Sequence, residues 1–399
     1  MFTFFSPNSN YKDAFRALGM FFRPWSWRKG PYPELVEKKM AKILGVDTSV
    51  DRIHCFDSGR TALHEALNVF GVGEGDEVIV QAFTCVVVTN AVKFTGAKTV
   101  FADIEEGGYN MDVENLKKKI TDKTKAIIVQ HTFGIPADID GIMKIAEERG
   151  VKVVEDCAHG IWKGFGLSGD AAIYSFGVEK AVSSVRGGAL YLKNKDIENP
   201  LPHLPLSIIL KHLLHPIFFS IGKTFYRTFG KALLYFSKNS GLTAKIIEQK
   251  EKKGKKVPWF PARFPNALAY LAYNQLDLLD EFNKHREEIS SYYQSQLTTA
   301  TAGSATGVNK VSGEGLKLLR YPVRYAERGK IMSRAKNGGV FLGNWYDSVV
   351  APRDTDLSET GYVVGSCPRA EKLTKEIINL PTGREVSLEM ARKIISFLE

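Results

Sequence analysis

Between residues 52 and 193, short apolar runs of strand type alternate with stretches of helical periodicity. The predicted strands cover residues 77–81, 98–102, 125–131, 151–155, 171–176 and 188–192. The predicted helices between them cover residues 60–70, 86–95, 113–120 and 139–149. This alternation is typical of a mainly parallel sheet flanked by helices. The sequence therefore predicts an α/β fold for this part of the chain.

The remaining segments surround this region. A chain of 399 residues is long enough for a large domain and a smaller one. We expect a long helix over residues 266–293 and, after it, a pattern of strands and helices typical of a small α+β domain. The predicted divisions are an N-terminal arm and helix (1–50), a large domain (51–195), a basic amphipathic insertion (196–260), a long linking helix (261–312) and a small C-terminal domain (313–399).

Three residues near the end of this region carry the chemistry. Asp156 follows a predicted strand, Ser175 lies near the end of the next one, and Lys180 comes shortly after it. In mainly parallel sheets, ligands bind beyond the carboxyl ends of the strands. An amine, a carboxylate and a hydroxyl in this order suit pyridoxal phosphate (PLP). The amine bonds to the cofactor's aldehyde, the carboxylate keeps the pyridine nitrogen protonated, and the hydroxyl helps to hold the phosphate.

A second segment fits the same cofactor. Gly59, Arg60 and Thr61 open a predicted helix, and the amides of a helix N-terminus can bind a phosphate. Each feature also has an ordinary explanation, since Gly59 could belong to a capped helix and Asp156 could cap the next one. A lone lysine is usually a surface residue. The combination in one order makes the ordinary explanations improbable and favours a PLP enzyme.

The sequence around these residues resembles the DegT/DnrJ/EryC1/StrS family of PLP-dependent sugar aminotransferases, which have fold type I. The matching segments are residues 73–80, 95–103, 121–127, 133–138, 155–159, 367–371 and 379–381. The resemblance covers nearly the whole chain apart from the first 30 residues and residues 196–260. It implies a homodimer with the active site at the interface, and an amino acid, expected to be glutamate, as amino donor for a keto-sugar.

The resemblance also implies roles for individual residues. Lys180 would bind the cofactor covalently and shuttle the proton, and Asp156 would pair with the pyridine nitrogen. His159 lies where the family has a residue close to the cofactor's phenolic oxygen. Ser175 would bind the phosphate together with residues 59–61. Relatives that dehydrate sugars have histidine in place of the lysine, so Lys180 favours transamination.

The sequence departs from the family pattern at two places that touch the cofactor. Cys85 stands where the family has an aromatic residue that stacks on the ring, and we expect Cys85 to pack against the ring face instead. The family segment whose asparagine reaches the partner subunit's phosphate aligns with residues 259–263, where only Arg263 remains. Either Arg60 or Arg186 replaces this contact, or the phosphate site is rebuilt.

The insertion has an unusual charge pattern. No Asp or Glu occurs between Glu198 and Glu248, and a lysine cluster follows at 250–256. A helix drawn from Phe218 to Phe236, after a break at Pro216, carries aromatic residues on one face and basic residues on the other. This pattern suits a helix that lies in an anionic membrane surface, although a buried dimer contact would give the same apolar stripe. No run is apolar enough to span a membrane.

The sequence therefore predicts a PLP-dependent aminotransferase that acts on a keto-sugar carried by a nucleotide or a lipid. The alternatives are a PLP enzyme of another outcome, such as a dehydratase, an aminotransferase for a non-sugar or lipid ketone, and a membrane-associated scaffold without enzymatic activity. We expect no metal site and no nucleic-acid partner. Four scattered cysteines and the lack of a signal-peptide pattern favour a cytoplasmic protein with free thiols, peripheral at the inner face of the membrane.

Overall fold

The computed structural model describes residues 8–197, 201–243, 245–300, 311 and 315–398. The chain begins with helix α1 (Tyr11–Phe21), a short 3₁₀ turn and helix α2 (Tyr32–Leu44). Asn10 and Asp13 form a reciprocal capping box at the start of α1. Helix α2 ends at Gly45, which adopts a left-handed conformation with φ 78°. The helical pattern of residues 33–44, which Gly45 closes, also predicts this helix from the sequence.

The large domain follows in the predicted alternation. Its elements are β1 (Arg52–Phe56), α3 (Gly59–Val69), β2 (Glu77–Gln81), β3 (Thr84–Cys85), α4 (Val86–Lys93), β4 (Lys98–Ala102), α5 (Val113–Lys119), β5 (Thr124–Gln130), α6 (Ile139–Arg149), β6 (Lys152–Asp156), β7 (Ala171–Ser175) and β8 (Gly188–Leu192). Seven strands form one sheet in the order β1-β8-β7-β6-β5-β2-β4. Strands β4, β2, β5, β6 and β7 are parallel, and β8 is antiparallel to both of its neighbours. The predicted fold class is confirmed.

The sheet register brings the predicted site residues to one edge. Strands β6 and β7 are parallel, so Asp156 and Ser175 both lie at carboxyl ends. In the antiparallel pairs, Gly188 at the start of β8 lies opposite Ser175 on one side and Phe56 on the other. The turn after Phe56 that opens α3 therefore reaches the same edge. Helices cover both faces of these strands, whose residues are almost all buried.

The insertion forms a helical hairpin, which differs from the prediction. Helix α7 (Leu206–Thr224) continues through Pro216, and the chain reverses in a π-helical turn at Tyr226–Gly230 before α8 (Lys231–Asn239). Two glycines permit the reversal. A Cβ on Gly222 would lie 2.4 Å from the Leu234 side chain, and one on Gly230 would lie 2.1 Å from the Gly222 carbonyl oxygen. The break predicted at Pro216 was wrong, and the chain turns near Gly230 instead.

The predicted single helix over residues 266–293 is two helices. After the short helix α9 (Gln249–Lys252), the chain forms α10 (Asn266–Leu276) and α11 (Leu279–Ala300). At the break, the Leu278 amide donates to the Gln275 carbonyl at 3.0 Å, an i→i+3 bond that tightens the turn. Asp277 is the C-cap of α10, and its carboxylate pairs with Lys39 of α2 at 2.5 Å. The tighter turn divides the predicted helix in two, and the apolar periodicity of the sequence does not record it.

The C-terminal part contains β9 (Arg320–Arg324), α12 (Arg328–Asn337), β10 (Val350–Ala351), α13 (Pro368–Glu376), β11 (Ile377–Pro381) and α14 (Leu388–Ile395). Strands β9 and β11 pair antiparallel, and β10 pairs with β3 of the large domain. One apolar core runs through both parts. The predicted boundary at 312 and 313 lies outside the described residues. Among the described residues, no helix combines the length and apolarity that crossing a membrane requires.

Candidate active site

A cavity of about 320 Å³ opens at the carboxyl ends of β6 and β7. Its volume is in the range of small-molecule sites. Seven of the eight residues predicted from the sequence line it, namely Gly59, Arg60, Cys85, Asp156, His159, Ser175 and Lys180. The eighth, Thr61, lies behind the cavity wall, where its hydroxyl donates to the Asp57 carboxylate at 2.5 Å. The structure thus brings together residues that are spread over more than a hundred positions of the sequence.

Asp156 is the last residue of β6 and lies buried at the cavity wall. Its Oδ1 accepts a hydrogen bond from the Ala158 amide at 3.0 Å. Burial raises the pKa of this carboxyl, while the Ala158 amide, Lys180 and His131 act in the opposite direction. A buried carboxylate needs a cationic partner, and a protonated pyridine nitrogen would be one.

Lys180 lies in the loop between β7 and β8, and its amide donates to the Gly177 carbonyl at 3.2 Å. Burial lowers the pKa of its amine, and the negative charge of Asp156 opposes this shift. The amine lies 5.3 Å from the centre of the Trp345 ring. The loop itself is held from behind, because the Asn8 side chain donates to the carbonyls of Lys180 and Ala181 at 2.6 and 2.9 Å.

His159 is a neutral imidazole in this environment. Its Nδ1 accepts from the Phe133 amide at 2.9 Å, so the ring proton is on Nε2, which lies 3.3 Å from the Tyr346 hydroxyl. Burial lowers the pKa of His159 well below its usual value, and Lys180 and Arg320 add to this effect. The ring is stacked 5.9 Å from the Phe133 ring. His159 therefore lines the cavity as an oriented hydrogen-bonding and stacking group.

The other end of the cavity is built from backbone amides and small side chains. Ser58 caps α3 by accepting from the Thr61 amide, and Ser175 lies beside Gly59 at the start of that helix. A Cβ on Gly188 would lie 2.4 Å from the Gly59 nitrogen, so only glycine allows β8 to approach this turn. The Gly177 amide donates to the Ser175 hydroxyl at 3.4 Å. This arrangement suits a bound phosphate.

The two arginines at this end are both paired with carboxylates. Arg186 donates to Asp57 through Nε at 2.7 Å and Nη2 at 2.5 Å, and both side chains are buried. Arg60 forms a buried ion pair with Glu251 of the insertion. Cys85 also lines the cavity, and its thiol pKa is raised by burial. The thiol is therefore protonated and presents a compact apolar surface.

Several cavity residues were not foreseen in the sequence, and four of them bear on the chemistry of the site. Trp345 and Tyr346 come from the small domain, and Trp345 is fixed by Asn379, whose side chain exchanges hydrogen bonds with its amide and carbonyl at 2.6 and 3.1 Å. His212 and Lys245 come from the insertion. No local pattern marks any of the four. Asn379 lies in a segment that resembles the family, which was an indirect signal for Trp345.

The residues present fit PLP. One cavity of suitable volume contains the three groups that PLP needs. They are a buried carboxylate at a strand end, an amine of lowered pKa and a helix N-terminus with serine hydroxyls. The carboxylate would hold the pyridine nitrogen, Lys180 would bind the aldehyde carbon, and Ser58, Gly59 and Ser175 would hold the phosphate. All four cysteines are free thiols.

Comparison with known proteins gives the same assignment. The sequence pattern of the DegT/DnrJ/EryC1/StrS aminotransferase family matches residues 12–399. A pleiotropic regulatory protein of Geobacillus stearothermophilus is 28% identical over 388 residues, which cover 96% of this chain and 92% of that protein. GDP-perosamine synthase of Escherichia coli O157:H7 is 35% identical over 184 residues, which cover 45% of this chain and 50% of that enzyme.

Solved structures show the same fold. The PLP form of Spr1654 from Streptococcus pneumoniae superposes with a TM-score of 0.73 at 22% identity, over 98% of this chain and 97% of that one. The same protein is also known with PMP, the aminated form of the cofactor. These similarities extend over the large domain and the small one. The chain belongs to the DegT/DnrJ/EryC1/StrS aminotransferase family, whose members are PLP-dependent sugar aminotransferases.

Proposed function

We propose that this protein transfers an amino group from an amino acid, with glutamate as the expected donor, to a keto-sugar carried on a nucleotide or a lipid. The observation that carries the proposal is that Asp156 and Lys180 line one cavity together with the N-terminus of α3. The relative named GDP-perosamine synthase supports a sugar bound to a nucleotide.

The residues supply distinct functions. PLP supplies a ring that withdraws electrons from the reacting carbon. Asp156 keeps the ring nitrogen protonated, because an ionised carboxylate in a buried site binds a cation strongly. Lys180 moves the proton between the substrate carbon and the cofactor, and its lowered amine pKa favours the neutral form that can accept a proton. His159, Trp345 and Tyr346 close the aromatic side of the cavity.

A single-turnover reaction with glutamate tests the proposed activity. Enzyme loaded with PLP should release one equivalent of 2-oxoglutarate and keep the amino group on the cofactor, whereas Lys180→Ala should not complete this half-reaction. A keto-sugar nucleotide should then regenerate the starting form. If PLP binds but no amino acid donates its nitrogen, the cofactor assignment is supported and the proposed transfer reaction is refuted.

The alternatives differ in product. A dehydratase would release water from the sugar without consuming glutamate, and an aminotransferase for a lipid ketone would accept no sugar nucleotide. A regulatory function is a further alternative, because one relative is named as a pleiotropic regulatory protein. Product analysis separates the first two, and binding of PLP without turnover of any ketone would favour regulation.

We also propose that the insertion binds an anionic membrane surface from the cytoplasmic side. Phe225, Phe229 and Phe236 are 47%, 54% and 60% exposed around the hairpin turn. The cations Arg227 and Lys231 are exposed beside them. Exposed aromatic and basic side chains around one helical hairpin suit the interfacial region of a bilayer.

We propose that helix α1 contributes to the same membrane-binding surface. It packs against α7, and its Phe15 is 68% exposed. Phe22 and Trp25 follow with 67% and 79% exposure. A large exposed apolar patch marks a contact surface. The stretch between Glu198 and Glu248 has basic residues and no acidic ones, which favours lipid over a protein partner of mixed charge.

The family resemblance further supports a homodimer, which sedimentation of the protein at several concentrations would test.

A further inference from the structure

At the phosphate end of the cavity, both arginines that the large domain contributes are paired with carboxylates. Arg186 is neutralised by Asp57, and Arg60 is neutralised by Glu251. Burial alone would raise the pKa of Glu251, but Arg60 holds it below its usual value, so this carboxylate is ionised. The remaining groups, which are the amides of α3 and the hydroxyls of Ser58 and Ser175, are neutral donors. A phosphate that carries about two negative charges would be poorly balanced by these groups alone.

The segment that resembles the family's phosphate-binding strap lies elsewhere. Arg263 donates through Nε to the Leu201 carbonyl at 2.7 Å and lines a separate cavity beside Arg28 and Lys29. Phe260 packs on His64 and Phe94 at ring distances of 5.1 and 5.3 Å. None of these residues lines the candidate active site. Residues 259–263 therefore make no phosphate contact within this chain, and they lack the asparagine with which the family segment reaches the partner subunit's phosphate.

A segment of the insertion lines the phosphate end of the cavity instead. Lys245, Ile246 and Ile247 line the candidate active site beside Gly59 and Arg60. Lys245 is solvent-exposed at the cavity mouth, and no ion pair to it occurs within the described ranges.

Hydrogen bonds hold this segment at the first turn of α3. The Ile246 carbonyl accepts from Arg60 at 2.7 Å. The Glu251 carbonyl accepts from Asn90 at 2.8 Å, and Glu251 also caps its own short helix through the Glu248 amide at 2.8 Å. The backbone next to Lys245 is thus held near the cradle by hydrogen bonds on its C-terminal side, of which the one from Asn90 is buried.

We propose that Lys245 supplies the positive charge for the cofactor phosphate from within the same chain, in place of the partner-subunit contact that the family segment provides. This inference rests on the proposed function, because it takes PLP as the ligand. His212 completes the same wall. Its Nδ1 donates to the Ile208 carbonyl at 2.6 Å and burial lowers its pKa to about 3, so the ring is neutral and Nε2 can only accept a hydrogen bond. His212 therefore adds no positive charge at the phosphate, which leaves Lys245 as the cation from the insertion. The insertion would then serve two purposes, with its apolar outer surface facing lipid and its inner edge closing the cofactor site.

The test compares PLP with pyridoxal, which lacks the phosphate. Apo-protein is titrated with each compound, and binding is followed by absorbance and equilibrium dialysis without any turnover. Lys245→Met should weaken PLP binding about 10- to 100-fold, the effect of losing one charged contact. Pyridoxal binding should be unchanged, because pyridoxal makes no phosphate contact. Lys245→Arg should restore most of the PLP affinity.

Lys250→Met is the matched control, since Lys250 is exposed in the same segment but does not line the cavity. It should bind both compounds like the wild type. If wild-type protein binds PLP tightly and Lys245→Met keeps the wild-type ratio of PLP to pyridoxal affinity, the role of Lys245 is refuted while the proposed function stands. If the wild type binds neither compound, the proposed function itself fails.

Discussion

Arg320 of β9 donates to the carboxylate of Glu179 at 2.8 Å, and this buried pair connects the small domain to the residue next to Lys180. The guanidinium also lies 3.7 Å from the centre of the Trp345 ring. The lysine loop, the tryptophan that faces it and the strand of the small domain are thus fixed to one another. The geometry at Lys180 therefore depends on how the small domain packs.

Breaking this pair on one side should destabilise the protein. Arg320→Met leaves Glu179 buried without its cation, which should lower the free energy of unfolding by about 3–5 kcal/mol. The double variant Arg320→Met/Glu179→Met should recover most of the loss, because two apolar groups of similar volume replace a desolvated pair. Urea denaturation of the cofactor-free proteins measures both. Equal losses in the single and double variants would show that the pair is not what connects these elements.

Asn8 should stabilise the lysine loop from behind. Its side chain donates to the Lys180 and Ala181 carbonyls and accepts from Arg286 at 3.0 Å, and all these groups are buried or nearly so. Asn8→Ala should lower the free energy of unfolding by about 1–3 kcal/mol, the cost of leaving buried polar groups unpaired. Asn10→Ala is a useful comparison, since it removes only a helix cap and should cost about 1 kcal/mol. A neutral Asn8→Ala variant would contradict the assigned network.

Protonation of Glu37 should make the free energy of unfolding depend on pH. Burial raises its pKa from 4.5 to about 7, although the Cys55 amide donates to it. The folded state therefore holds the proton more tightly than the unfolded state. The stabilisation from this group is fully present below pH 4.5 and is lost as the pH rises through 7. At pH 8 the loss is at most about 3.5 kcal/mol, at ~1.4 kcal/mol for each pKa unit.

The variant Glu37→Gln should be more stable than the wild type at pH 8 and should lose this advantage toward pH 5. Both free energies of unfolding are measured across this range. His54 and Asp196 lie near Glu37, and comparing variant with wild type removes most of their own titration. The exposed Glu114→Gln should leave the pH profile unchanged. A Glu37→Gln profile parallel to the wild type would show that Glu37 titrates normally.

Binding of the protein to anionic membranes should depend on the aromatic residues at the hairpin turn. Phe225→Ser/Phe229→Ser should weaken binding to anionic vesicles by roughly tenfold or more, because two half-exposed rings lose apolar burial in the bilayer. The control is Val363→Ser/Val364→Ser on the small domain, where both valines are exposed to a similar or greater extent. Co-sedimentation with anionic and neutral vesicles measures the effect. Equal binding by all proteins, or a change from dimer to monomer in the phenylalanine variant, would contradict the membrane assignment.

The strands of the sheet could be predicted because they are buried on both faces. A continuous apolar run such as β8, buried at all five residues, leaves a clear signal, and the predicted bounds of β2, β4 and β8 match the structure. Asp156 and Lys180 could be placed at one edge because they follow neighbouring parallel strands. Strand β1 was not singled out, since its alternation of buried and half-buried residues is short.

The insertion and the far wall of the cavity could not be predicted in this way. The reversal between α7 and α8 depends on the contacts of Gly222 and Gly230 across the hairpin, which helical periodicity does not record. Trp345 and Lys245 reach the cavity through the packing of distant segments. Arg60 was expected to bind the phosphate, and Arg186 was one alternative for the lost partner-subunit contact. The buried carboxylate partners of both arginines became visible only in three dimensions.

The most direct test of the central claim is to find which residue binds the cofactor. Protein incubated with PLP is reduced with borohydride, digested and analysed by mass spectrometry, with Lys180→Ala treated in parallel. The account predicts a pyridoxyl group on the peptide that contains Lys180, and none in the variant. A modified Lys245 with an unmodified Lys180, or no specific modification in the wild type, would contradict it.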